Sequence, residues 1–97
     1  MNLSKTTKER YGDPDLICYR LDASGQRVQN TAIWGFGGYL ANAIDASLRR
    51  DDPDGFVDLM RAAELTAKAE TLDGLTMEQY CDKRGASKCK AALKAIP

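Results

Sequence analysis

A chain of 97 residues is sized for a single domain, and 43% hydrophobic against 29% charged residues argues for a folded rather than a disordered one. Lys+Arg and Asp+Glu balance at 14 each, which excludes a uniformly basic binder of nucleic acid. The absence of histidine excludes a Ser-His-Asp triad, a Cys/His nucleophile and a Cys₂His₂ zinc site.

The first 15 residues are polar. Met1–Lys5 lacks the apolar stretch of a signal peptide, and no later run approaches the ~20 apolar residues of a membrane span. Thr6-Thr7-Lys8-Glu9 has capping-box form and predicts one helical turn, which Tyr11-Gly12-Asp13-Pro14 ends. Segment 1–15 is a candidate for ordering by a partner, with Tyr11 as a possible aromatic anchor.

Strand formers follow. Ile17, Tyr19 and Leu21 alternate within 16–21, and Val28, Ala32 and Trp34 share a parity within 27–34. Asp22–Gln26 between them has turn chemistry, so the pattern predicts an antiparallel β-hairpin. Two strands alone are marginal in water, so helices or a third strand must cover the apolar face. Trp34-Gly35-Phe36-Gly37-Gly38 then reads as a tight strand-to-helix junction with Trp34 and Phe36 filling the seam. Its glycines could also cradle an anion, but the spacing matches neither a dinucleotide fingerprint nor a P-loop.

Beyond the junction the period becomes helical. Leu40, Ile44 and Leu48 predict a helix over about 38–50. Asp52 is a cap with Pro53 at the first helical position, opening a long helix over about 53–72 that carries Phe56, Leu59, Met60 and Ala63 and ends at Gly74. Thr76-Met77-Glu78-Gln79 is a second capping box, predicting a helix over 76–84 that stops at Gly85. Ser87 is placed to cap a last helix over 87–96. The fold class expected is α+β, one domain over 1–97, with the hairpin packed on three to four helices.

Few residues carry visible chemistry. No carboxylates, lysines or tyrosines are paired by spacing for acid–base work, so the expectation is a protein that is not an enzyme and needs no cofactor or metal. Asp51, Asp52, Asp54 and Asp58 miss the calcium-loop spacing and read as caps and a solvated face. Cys18, Cys81 and Cys89 are odd in number and read as free core thiols of a reducing cytoplasm. Charge is segregated, however. Between Asp45 and Asp58 lie five acids and two arginines, whereas Lys83, Arg84, Lys88, Lys90 and Lys94 form a run without an acid.

Residues 75–93 resemble a helix-turn-helix. Cys81 matches the small buried residue four positions before the turn glycine, here Gly85, and Ala86 and Ser87 match the small residue and cap that follow; Arg84 stands where that pattern usually has an apolar residue. The resemblance implies that Lys88, Lys90 and Lys94 face phosphates. With no Arg, Asn or Gln on the last helix to read bases, backbone contact is favoured over sequence readout. As a whole, the small size, segregated charge, hairpin and short helices resemble the accessory inhibitors of phages and mobile elements, the anti-CRISPR proteins among them. That resemblance implies a stoichiometric inhibitor in the bacterial cytoplasm that docks on a host protein or ribonucleoprotein complex and blocks nucleic-acid binding. The alternative is a small DNA-binding regulator using the C-terminal helical pair.

Overall fold

The computed structural model describes residues 16–96. The predicted turn at Thr6–Glu9, and Tyr11, lie outside the described residues, as do the side chains of Trp34 and Phe36 and hence the predicted seam. The chain is α+β. Strands β1 (Ile17–Leu21), β2 (Arg27–Gln29) and β3 (Glu70–Thr71) form an antiparallel sheet in the order β2-β1-β3. Helices α1 (Thr31–Arg49), α2 (Pro53–Ala62), α3 (Met77–Arg84) and α4 (Ser87–Ala92) accompany it, and a 3₁₀ turn over Leu93–Ala95 follows α4.

The hairpin forms as its alternation predicts, but β1 is the central strand and is covered on both faces. Its pairing with β3 shifts register between Ile17 and Tyr19, so Ile17 enters the main core while Cys18 and Tyr19 pack with Leu72 in a smaller cluster. The third strand supplies the extra pairing that a two-stranded ribbon needs.

Strand β2 ends at Gln29, not at Trp34 as predicted, because Asn30 redirects the chain. Asn30 is buried; its backbone N–H donates to the Cys18 carbonyl, its carbonyl accepts from Ile33 N–H, and its side-chain amide donates to the Ala63 carbonyl at 2.6 Å. The helix therefore starts at Thr31, seven residues before the predicted 38. Its buried face, Ile33, Ala41, Ile44 and Leu48, keeps helical spacing through the glycines. Each glycine costs roughly 1 kcal/mol of helix propensity, which hides that period in the sequence. Gly38 still marks a discontinuity. It lies inside α1 with φ +85°, a conformation open to glycine, and the Asn42 side chain donates to its carbonyl at 3.0 Å.

Helix α2 begins as predicted, with the Asp52 side chain accepting from Gly55 N–H at 3.1 Å and Pro53 at its first position. It then stops at Ala62, ten residues short of the prediction. Glu64 takes φ +58°, and the Leu65 and Glu64 N–H groups donate to the Met60 and Arg61 carbonyls. That is a Schellman ending with glutamate where glycine is usual, so the sequence carries no stop signal there. Leu65, Ala69 and Leu72 are buried as predicted, but from a turn-rich segment that forms β3. Gly74, predicted to end the long helix, instead closes the turn after β3 with φ +85° and donates to the Thr71 carbonyl.

Ile17 from the sheet, Ile44 and Leu48 from α1, Phe56 and Met60 from α2, and Met77 and Tyr80 from α3 meet in one core. Burial of each such large apolar side chain contributes about 1.5–3 kcal/mol.

A candidate docking surface on the last two helices

Helix α3 carries the predicted capping box. The Thr76 hydroxyl accepts from Gln79 N–H at 3.2 Å, and the Gln79 side chain accepts from Thr76 N–H at 2.9 Å. The helix ends on left-handed Gly85, φ +69°, with Ala86 N–H donating back to the Cys81 carbonyl at 2.9 Å. Cys81 and Ala86, on either side of this turn, are both buried.

The next helix is capped differently from the prediction. Ser87 is its first residue and makes no capping bond. The carboxylate of Asp51, in the turn after α1, accepts instead from Lys88 N–H at 3.0 Å and from Cys89 N–H at 3.0 Å. Asp51 is held at φ +50°, an unusual backbone conformation for a side chain other than glycine, asparagine or aspartate. Burial acts to raise its pKa, but the bonds from Cys89 and Lys88 outweigh this and hold the carboxyl below its ordinary value.

A second clamp lies six residues earlier. Asp45, buried, accepts from the Tyr80 hydroxyl, Arg84 Nε and Arg49 Nε, each at 2.7 Å. The Arg84 guanidinium lies over the Tyr80 ring, 5.3 Å from its centroid. Burial acts to raise the Asp45 pKa; the bonds from Arg49, Arg84 and Tyr80 outweigh it and leave the carboxyl below its usual range. The C-terminal half of α1 thus holds α3 through Asp45, and the turn that follows α1 holds α4 through Asp51.

The predicted cationic residues separate accordingly. Arg84 points inward, its side chain only 10% exposed and ion-paired with Asp45, so it is not part of an exposed cationic face. Its stem is packed and its charge is matched within the fold. Lys83, Lys88, Lys90 and Lys94 are exposed. Lys90 bonds both oxygens of Asp82, at 2.9 and 3.1 Å, and that carboxylate raises its pKa.

Lys90 and Lys94 also border an open trough of about 760 Å³. Ala67, Gly85, Ala86, Ala91 and Leu93 supply its apolar lining, and Glu78 and Asp82 stand on α3 along it. A smaller hollow of about 310 Å³ adjoins, sharing Ala67 and Glu78 and reaching Leu21. Sequence reasoning found the lysines but missed Glu78 and Asp82, which belong to the preceding helix and fall outside the basic run. It also missed Tyr39, 65% exposed and the large hydrophobic side chain left most open among the described residues.

The three cysteines are free and buried. Burial pushes the thiols of Cys18 and Cys89 up to about 12 and that of Cys81 up to about 11, far from the thiolate needed for nucleophilic chemistry. Among the described residues, no cluster of three or more His, Cys, Asp or Glu could hold a metal, and no helix is long and apolar enough to cross a membrane. No protein-family model matches this chain, nor does any curated protein or solved structure.

Proposed function

We propose that this chain is a non-catalytic binding protein, a stoichiometric inhibitor that docks on a host nucleoprotein complex and blocks its binding of nucleic acid. The observation that carries the reading is the open trough between α3 and α4, apolar inside and bordered by charges of both signs. A protein surface can meet such borders pair by pair, whereas a bare polyphosphate approaching Lys90 and Lys94 meets Glu78 and Asp82 as well. The clamps at Asp45 and Asp51 add to this, since a preformed surface loses less freedom on binding than one that must be ordered. The nucleoprotein target follows from the chain's likeness in size, charge segregation and architecture to anti-CRISPR inhibitors. Its place of action is then the bacterial cytoplasm.

One observation favours a second reading, a small DNA-binding regulator. The left-handed Gly85 turn with Cys81 and Ala86 buried on either side has the form of a helix-turn-helix corner. Against it, α4 has only six residues, and two of the five predicted cations are engaged by Asp45 and Asp82.

Two measurements separate the readings. The tagged chain is passed through bacterial lysate, and any nucleoprotein complex recovered is titrated with free chain while its nucleic-acid binding is followed. Inhibition saturating at one chain per complex supports the inhibitor. Recovery of no such complex, together with a shift of random duplex DNA that Lys88→Glu and Lys94→Glu abolish, replaces it with the regulator.

A further inference from the structure

The charges along the trough are ordered as well as mixed. Glu78 and Asp82 are four residues apart on α3, and Lys90 and Lys94 are four apart across α4 and the 3₁₀ turn; all four line the trough. Side chains four apart on a helix stand one above the other, roughly 5–6 Å between Cβ atoms. One border is therefore an acidic rail with a helical repeat, and the other is a basic rail of matching spacing in sequence. The Asp82–Lys90 ion pair joins the rails, with side chains 61% and 44% exposed.

We propose that the trough seats an amphipathic α-helix of a partner protein, one whose apolar stripe is flanked by bases on one side and acids on the other. This rests on the docking reading above and names the chemistry of its partner. Three observations argue for it. First, Glu78 and Asp82 repeat at the pitch of a helix, so bases on successive turns of the occupant meet them, while Lys90 and Lys94 offer partners to its acids. The exposed Asp82–Lys90 pair is of the weakly held kind and can exchange partners.

Second, the site offers little to an extended strand. Thr71 N–H already donates to the Leu75 carbonyl, Glu70 bridges Thr76, and Asp82, Lys90 and Ala91 lie within helices whose own bonds occupy the backbone. A helix brings its backbone bonds with it and needs only side-chain contact. Third, the trough is lined by small groups at Ala67, Gly85, Ala86 and Ala91, which leaves its volume to large side chains such as leucine or methionine from the occupant.

The test uses the isotopically labelled 97-residue chain and synthetic helical peptides of about 15 residues, long enough to hold a helix. All carry the same leucine stripe; their flanks are Lys/Glu, Lys/Lys or Glu/Glu. Exchanging the two flanks is uninformative, because a helix can lie in either direction. The Lys/Glu peptide is expected to bind most tightly and to shift the amide signals of Ala67, Ala91 and Leu93. Glu78→Lys with Asp82→Lys is expected to weaken that peptide about tenfold and to make the Glu/Glu peptide the preferred one. Should this variant fail to fold by circular dichroism, Ala91→Trp, which fills the trough from an exposed helix position, must weaken the Lys/Glu peptide to the same degree.

Equal affinity for the three peptides, preference for Lys/Lys, no binding at millimolar peptide, or indifference to the substitutions overturns the proposal. An Ala91→Trp chain that still captures the nucleoprotein complex also overturns it while leaving the inhibitor reading intact. Failure of the unmodified chain to capture any complex removes that reading and leaves the peptide result to stand or fall alone.

Discussion

Replacing Asp45 with alanine takes away an acceptor shared by three donors. The Tyr80 hydroxyl and Arg84 Nε both donate to it at 2.7 Å, and neither side chain has ready access to water, Tyr80 being fully buried and Arg84 10% exposed. Each charge-assisted bond contributes about 1.5–3 kcal/mol. The Arg49 pair is 59% exposed on the arginine side and adds only ~0.3–0.5 kcal/mol. The relief of no longer burying the Asp45 charge offsets part of the loss, so the net cost is about 3 kcal/mol, near the low end for breaking a buried ion pair. Against a total stability of roughly 5–15 kcal/mol, urea denaturation should show a midpoint far below that of the parent. The cost should also depend on pH in one direction. The folded Asp45 pKa lies below its unfolded value of about 3.9, so the contribution is complete above that value and is lost as pH falls through the folded pKa. The gap between parent and Asp45→Ala should therefore close in acid. Combining Asp45→Ala with Arg84→Met removes both members of the buried ion pair and should cost less than the two single changes added together. A cost under about 1 kcal/mol, or a double variant as unstable as the sum of the singles, would refute the clamp.

Glu64→Gly should stabilise the chain by about 1 kcal/mol, because a left-handed C′ position favours glycine and the backbone bonds there remain; calorimetry showing a lowered Tm would contradict this. Asp51→Ala should lower the urea midpoint by uncapping α4, and Asp51→Asn should lower it less, since asparagine tolerates the same φ and keeps one acceptor; equal loss in both would mean that charge, not the cap, matters. The folded chain should resist a thiol reagent at neutral pH and yield all three thiols on unfolding. Rapid labelling of any one before unfolding would show that its burial is not maintained.

Much of the architecture was legible in the residues because its signals are local. Asp52-Pro53, the Thr76–Gln79 box and Gly85 each place a helix end within its own neighbourhood, and the hairpin shows in its alternation. The failures share a cause: the deciding interaction comes from elsewhere in the chain. Asn30 ends β2 by bonding the Ala63 carbonyl, 33 positions away. Helix α2 ends without a glycine, so its apolar pattern ran on through residues that form β3. For the candidate site, the bases were visible as a run, but which of them are ion-paired depends on Asp45 and Asp82, acids that lie outside that run. A one-dimensional charge count cannot see that Arg84 is matched inside the fold.

The cap on α4 has a consequence for how the docking surface comes into being. Helix α4 has six residues and no capping side chain of its own; its first N–H groups are held by Asp51, 37 positions earlier. A helix that short does not persist alone in water. Its stability therefore draws on a contact distant in sequence, made only when the turn after α1 is in position. An excised peptide spanning 75–96 would carry every lysine and both acids of the trough yet lack the trough itself. The trough belongs to the assembled domain and not to the segment that supplies its charges.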